Sequence, residues 1–377
     1  MIYSIFATED TTLYEATQSL NTGHDAILEV SKVGDISGSQ LAANNVYNSR
    51  PLIKFNLTSI SESVADGTIS TNFSAYLNLY TVEVAEVPKE YTLYSYPVSQ
   101  SWTQGSGRYH NIPKTEEGAS WLYRNGKNDG TDWGTGSLAI GVTSSFTSNP
   151  GGCAWFTGSS ASGSFEATQS FSNESADVRM NITSMVKQWI SGSNGGLSNN
   201  GLILKRSDSD EQSNVPLGKL MFYSRDTNTI YIPRLEIAWD DSTHTTGSLS
   251  ELTSEDIILY LKNNKGVYTN DEKVKIRVTG RNKYPSKTYA TQSATLNVNF
   301  LNTSSYYSIR DAHSNEVIVP FDTSYTKISC DGSGNYFNFW MNSLQPERHY
   351  RFVFRVDTEG GNVRRIFDNK FIFKVSR

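Results

Sequence analysis

The stretch from Val178 to Arg206 constrains this chain most, because it carries the clearest helix signal in a sequence that otherwise alternates like strands. Ile182, Met185, Val186, Trp189 and Ile190 recur at i, i+3, i+4, i+7 and i+8, which lines one helix face with apolar side chains. Asn181 is placed to cap the amino end and Gly192 to close the carboxyl end. A glycine- and asparagine-rich turn, Ser193 to Gly201, follows, and Leu202, Ile203 and Leu204 read as a short buried strand. A helix with one apolar face needs a cover. The expected arrangement is therefore a helix plugging the end of a β-sandwich with Trp189 as its anchor, since an exposed partner-binding helix would leave that face in water.

Around this helix the periodicity is that of strands. Ile53, Phe55 and Leu57 alternate with Lys54 and Asn56, and Arg50 just ahead of them is placed to pair with a carboxylate at a sheet edge. Ala75, Leu77 and Leu79 alternate with Tyr76, Asn78 and Tyr80, giving one core face and one tyrosine-bearing face. Trp102 to Gly136 is long and irregular, and a loop of that length either has a task or packs on itself. Its Trp102, Trp121 and Trp133 have two readings: rings that stack on a glycan or partner, or rings that cover the core where two sheets splay. Six of the seven tryptophans precede residue 241, an aromatic payload that favours the core. Asn128 to Gly136 sets two aspartates in a glycine-rich turn, but it lacks the spacing and terminal glutamate of an EF-hand, so an Asx-turn accounts for it better than calcium.

Asp240 to Leu249 is polar and reads as a linker, dividing the chain into 1–241, 242–250 and 251–377. Beyond it, Val274, Ile276 and Val278 alternate with Lys275 and Arg277, and further strands are expected at ATLNVNF, EVIVPF, RHYRFVFRV and KFIFKV. Leu344 to Tyr350 has the form of a tyrosine corner, in which a tyrosine at a strand start bonds back to the chain upstream. The expected fold class is all-β: an amino-terminal jelly-roll-like sandwich with one short helix, then an Ig-like or fibronectin-like sandwich.

Two resemblances add to this reading. Thr183, Val186, Trp189 and Gly192, then Asn200 to Leu204, Phe222 to Arg225 and Pro233 to Ile237, give the order T-x-x-V-x-x-W-x-x-G, N-x-G-L-x-L, F-Y-S-R and P-R-L-x-I. With Asn21, Gly23 and Arg50 near the start, this order resembles the DNRLRE family of β-sandwich domains over residues 1–241. The resemblance implies a fold like that of carbohydrate-binding modules, found in secreted bacterial proteins and in virion proteins of tailed phages. Residues 335–352 and 367–375 resemble carboxyl-terminal domains in structural proteins of T4-like tailed phages.

Composition narrows the function classes. Charged residues make up 19%, too few for a disordered polyelectrolyte, while 21 tyrosines suit a β-rich contact surface. The opening residues lack a basic start and a long apolar core, so no signal peptide is expected, which suits a virion protein released by lysis better than an exported lectin. Cys153 and Cys330 are too far apart to suggest a disulfide framework or a zinc motif. The five histidines, His24, His110, His244, His313 and His349, show no metal-ligand spacing, and no nucleophile motif or phosphate loop is present. Residues 251–377 hold 18 basic and 13 acidic side chains, a net +5, leaving 15 and 25, a net −10, for the rest; opposite signs can orient copies or partners. The basic residues are spread along strands, so nucleic acid is not an expected partner, and no segment is apolar enough to enter a membrane.

The sequence therefore leads to a non-enzymatic virion protein without a cofactor. Its expected partners are other virion proteins and symmetric copies of itself, and its expected place is the particle. The alternative is a carbohydrate-binding module using Trp102, Trp121 and Trp133 on a glycan or cell envelope.

Overall fold

The computed structural model describes residues 1–34, 46–133, 142–144, 151–160, 163–172, 174–192, 196–253, 256–285, 298–358 and 363–377. Its regular structure is overwhelmingly β, arranged in several sheets. The chain forms two compact units. The amino-proximal unit comprises Ile5–Ala65 and Ser74–Glu236, and the carboxy-proximal unit comprises Met1–Ser4, Asp66–Phe73 and Ile237–Arg377.

The large sheet of the amino-proximal unit is organised on the strand Val46–Phe55. One edge of that strand pairs with Ile2–Tyr14. The other edge is shared: Val46–Ser49 pair with Ile27–Gly34, whereas Leu52 and Ile53 pair with Leu202–Lys205. The hydrogen-bonded path runs from Ala167–Ser172 through Glu90–Pro97, Leu202–Lys205, Val46–Phe55, Ile2–Tyr14, Arg234–Ala238 and Ser74–Leu79 to Val178–Asn181. The two ends of this path meet through one side chain. Gln169 accepts from Arg179 N at 2.8 Å and donates to Asp177 O at 3.2 Å, so its amide stands in for a missing backbone ladder.

Among the described residues three short α-helices stand where a single one is expected: Thr58–Ala65, Thr183–Ser191 and Asp208–Gln212. The first two begin alike, at Asn-Leu-Thr-Ser and Asn-Ile-Thr-Ser. In each, the asparagine Oδ1 accepts from the threonine backbone N–H at 3.0 Å and from its hydroxyl, at 2.8 Å from Thr58 and 2.7 Å from Thr183. In the second helix the cap position is Ile182 rather than Asn181, because the asparagine closes a tight turn one residue earlier. Met185, Val186 and Trp189 are buried, with Trp189 at 6% exposure, and Gly192 ends the helix at φ +45° with its N–H on Gln188 O.

In the carboxy-proximal unit two sheets share one core. Ile276, Val278, Phe337 and Phe339 come from the first, and Tyr307, Ile309, Phe352 and Phe354 from the second. Phe337 stacks on Tyr307 at 4.3 Å and meets Phe352 edge-on at 5.4 Å, so the two layers are joined mainly by aromatic contacts. The segment expected to hold two strands around a turn holds three. Ile257–Leu261 and Lys273–Asn282 pair antiparallel, while Val267–Thr269 crosses to the other sheet and runs parallel to Lys374–Ser376. Of the strand expected at ATLNVNF, residues 294–297 lie outside the described residues, and Asn299–Phe300 is a strand. The polar stretch 242–250 is bonded to this unit, since Thr245 N donates to Cys330 O and Cys330 N to Thr243 O.

Tyr350 is buried at the start of the strand Arg348–Thr358, and its hydroxyl donates to Gln345 O at 2.9 Å. Burial pushes this phenol well above its ordinary range, with the nearby Arg348 charge opposing that rise. Tyr350→Phe is expected to cost about 1 kcal/mol in a urea melt, the net worth of one such bond; an unchanged midpoint would show that the corner contributes nothing.

Candidate functional site

The most chemically concentrated region lies inside the amino-proximal unit. Arg50 is fully buried, and its guanidinium meets Glu211 through Nε to Oε1 at 3.1 Å and Nη2 to Oε2 at 2.7 Å. Its remaining arm donates to Gly152 O at 2.7 Å. The guanidinium carbon lies 4.8 Å from the centre of the Trp121 ring and 5.4 Å from that of Trp155. Lys205 adds a second cation 3.1 Å from Glu211, also ion-paired to Asp208, and Lys32 donates to the Glu211 backbone oxygen at 2.6 Å. Arg50 thus finds its carboxylate in the interior. The expected sheet edge does not exist there, because its strand is paired on both sides.

Glu211 was not singled out from the sequence, although a signal was present. Ser207 precedes Asp208, Asp210 and Glu211, and its Oγ accepts from Asp210 N at 3.0 Å, the usual mark of a helix start. Gly152 cannot be replaced without disturbance. It sits at φ +74°, and a Cβ there would lie 2.5 Å from Arg50 Nη1 and 2.8 Å from Trp121.

Trp102, Trp121 and Trp133 are brought together, but in the interior, at 5, 0 and 2% exposure. They share a core cluster with Leu13, Leu52, Val98 and Trp155. The Trp102 indole donates to Asn200 O at 2.8 Å and the Trp133 indole to Ser120 O at 2.9 Å. None offers an open ring face to a sugar, so the glycan platform drawn from these three residues is corrected: they fill the splay of the sheets. The loop carrying them is stitched down by Asn21. Its Nδ2 donates to Gln104 O and Ala119 O, and its Oδ1 accepts from Gly107 N and Gly23 N. All four hydrogen-bonding positions of one buried amide are filled.

Asp129 and Asp132 are exposed, and residues 134–136 of that turn lie outside the described residues. Among the described residues no group of three His, Cys, Asp or Glu side chains is placed to hold a metal, and no helix is long and apolar enough to cross a membrane. Cys153 and Cys330 are free and buried, and burial pushes the Cys153 thiol far up.

An open groove of about 580 Å³ lies on the outer face of the same unit. It is lined by Thr92, Tyr94 and Ser170 from the paired strands Glu90–Pro97 and Ala167–Ser172, and by Ser207 and Asp210. Thr92 Oγ1 and Ser170 Oγ are 2.9 Å apart, and Tyr91 stacks flat on Phe171 at 4.8 Å and 12°. No sequence signal pointed to it, because its residues come from three separated segments.

No protein-family model matches the chain, and no curated protein is similar to it. Among solved structures it is similar to a DUF4785 family protein from Legionella pneumophila at 8% identity, with a TM-score of 0.19; all of this chain is aligned, and it spans 62% of that protein's length. A likeness that slight carries no argument.

Two outcomes follow from the buried charges. Glu211→Gln leaves Arg50 without a carboxylate and Lys205 with Asp208 alone, and is expected to cost about 3–5 kcal/mol by chemical denaturation; a loss below about 1 kcal/mol would mean the pair is not a keystone. Asp10 is buried and accepts from Arg225 N at 2.7 Å, and burial pushes its carboxyl up to about 7 from the ordinary 3.8. The folded state then holds the proton more tightly than the unfolded chain. Stability relative to Asp10→Asn should fall as pH rises from about 4 to about 7 and level off above, by up to about 4 kcal/mol. A pH-independent difference between the two proteins would contradict this.

Proposed function

We propose that this chain is a non-enzymatic structural component of a tailed-bacteriophage virion that works by protein–protein assembly, at the neck, tail, baseplate or capsid surface. In this reading the amino-proximal unit is a jelly-roll-like sandwich of DNRLRE type and the carboxy-proximal unit an Ig-like sandwich. The Tyr350–Gln345 bond supports the second assignment. The observation that carries the functional reading is the division of aromatic side chains. Tryptophans such as Trp121 and Trp155 are consumed by the interior, whereas Tyr76, Tyr94 and Tyr96 remain partly exposed on strand faces. Partly exposed tyrosines on rigid strands suit protein contacts, and opposite net charges on the two parts of the sequence suit oriented docking. Other virion proteins and symmetric copies of this chain are the partners, with nucleic acid and membrane insertion outside the reading. The carbohydrate-binding alternative has lost its tryptophan platform and needs another surface.

Antibody raised against the purified chain should label purified phage particles at one recurring position in negative-stain images. Particles that remain unlabelled in a lysate that contains the soluble chain would overturn the assignment.

A further inference from the structure

We propose that Lys32, Asn48 and Glu15 form an autocatalytic centre that joins Lys32 to Asn48 by an isopeptide bond, with loss of ammonia, and so links the strands Ile27–Gly34 and Val46–Phe55 covalently. The proposal is independent of the assembly reading, and either can fail alone.

Position comes first. Lys32 and Asn48 lie directly opposite each other in the antiparallel pair formed by those two strands. Their side chains therefore leave the sheet on the same face, with Cβ atoms about 4.5–5.5 Å apart. Tyr14 lies opposite Ser49 on the other edge of the second strand, which brings the next residue, Glu15, level with Asn48. All three residues are buried, Lys32 at 1%, Asn48 at 5% and Glu15 at 8% exposure. Glu15 Oε2 accepts from Asn48 Nδ2 at 2.8 Å and from the Asn48 backbone N–H at 2.9 Å. Lys32 Nζ and Asn48 Nδ2 both donate to Glu211 O, at 2.6 and 3.4 Å, so the amine and the amide are neighbours around one oxygen.

Two features mark the set as reactive. Asn48 Oδ1 is buried and, among the described residues, has no donor, a cost that a purely structural amide avoids. It persists because two acceptors, Glu15 and Glu211 O, hold the amide nitrogen toward themselves. Burial also lowers the Lys32 ammonium below the ordinary lysine range, against the charges of Glu15, Glu211 and Asp210, which favours the neutral amine that attacks.

The step balances without an oxidant. Glu15 takes one proton from the Lys32 ammonium, and the freed lone pair on Nζ bonds to Cγ of Asn48. Glu15 then returns that proton to Nδ2, the Cγ–Nδ2 bond breaks, and ammonia departs with its electron pair. The remaining extra proton on Nζ passes through Glu15 to the ammonia, which leaves as ammonium, and Lys32 and Asn48 are left as one neutral amide. Burial keeps water from competing for Cγ, and the fixed register holds the two groups at high effective concentration.

The test is the mass of the full chain, purified folded and measured fully denatured. It is expected about 17 Da below the sequence mass, one ammonia lost, and digestion should give a branched peptide in which Lys32 and Asn48 are joined. Chain isolated unfolded should carry the full mass and lose the ammonia after refolding. Lys32→Arg and Asn48→Ala should keep the full mass, and Glu15→Gln should slow the loss about a hundredfold or more, with circular dichroism reporting that each variant is folded. Full mass in the folded wild-type chain would overturn the proposal whatever the variants do. So would the same loss without the branched peptide, as succinimide at Asn125-Gly126 or Asn200-Gly201 would give. A folded Glu15→Gln chain that forms the bond at the wild-type rate would overturn the role given to Glu15.

Discussion

The amino-proximal unit depends on one buried ion pair. Arg50 and Glu211 both lie out of water, and charges so placed cost several kcal/mol each unless every polar atom finds a partner. Here the geometry meets that demand. The pair is bidentate, the third arm of the guanidinium is taken by Gly152 O, and two indoles cover the flat faces. Four parts of the chain meet at this point: the central strand, the helix Asp208–Gln212, the turn at Gly152, and the long loop through Trp121. Removing the arginine would therefore loosen all four together, because each is positioned by a different atom of the same group.

The same rule of satisfying each buried polar group governs the irregular regions. The loop from Trp102 to Trp133 has almost no regular ladder, so its backbone needs other partners. Asn21 supplies three of them from a single fully buried amide, whose fourth position is taken by Gly23 N. Gly105 lets the chain approach so closely that a Cβ there would sit 2.4 Å from the Asn21 oxygen. At the ends of the sheet path Gln169 plays a related part, replacing a backbone ladder with an amide. Short polar side chains thus do locally what longer strands do elsewhere.

These economies leave the surface for recognition. With the tryptophans inside and Arg50 and Glu211 paired, the outer strand faces of this unit present tyrosine, serine and threonine. In the carboxy-proximal unit Lys273, Lys275 and Arg277 stand opposite Trp340, Asn338 and Tyr336. Lys273 lies 4.1 Å from the Trp340 ring centre and Lys275 3.6 Å from that of Tyr336, while Asp331 binds both Lys275 and Arg277. The positive charge of this part of the chain is thereby held on the surface in fixed positions, which suits setting the orientation of a partner more than its affinity.

Local order was legible in the sequence because it depends on neighbours in the chain. Period-two alternation placed Ala75, Leu77 and Leu79 inside, helical spacing put Trp189 on a buried face, and the Leu344–Tyr350 spacing placed a tyrosine within reach of Gln345 O. Two helices escaped notice since each is only a turn or two long and is defined by its cap more than by its apolar face. Everything that joins distant segments was decided by tertiary structure. Arg50 and Glu211 are separated by 161 positions, and no periodicity links them; they meet because the fold brings the central strand under the helix Asp208–Gln212. The tryptophans carried the same ambiguity. An indole covers a core or stacks on a ligand with the same ring, and only the neighbours supplied by the fold, Leu13, Leu52 and Val98, settle which surface it faces.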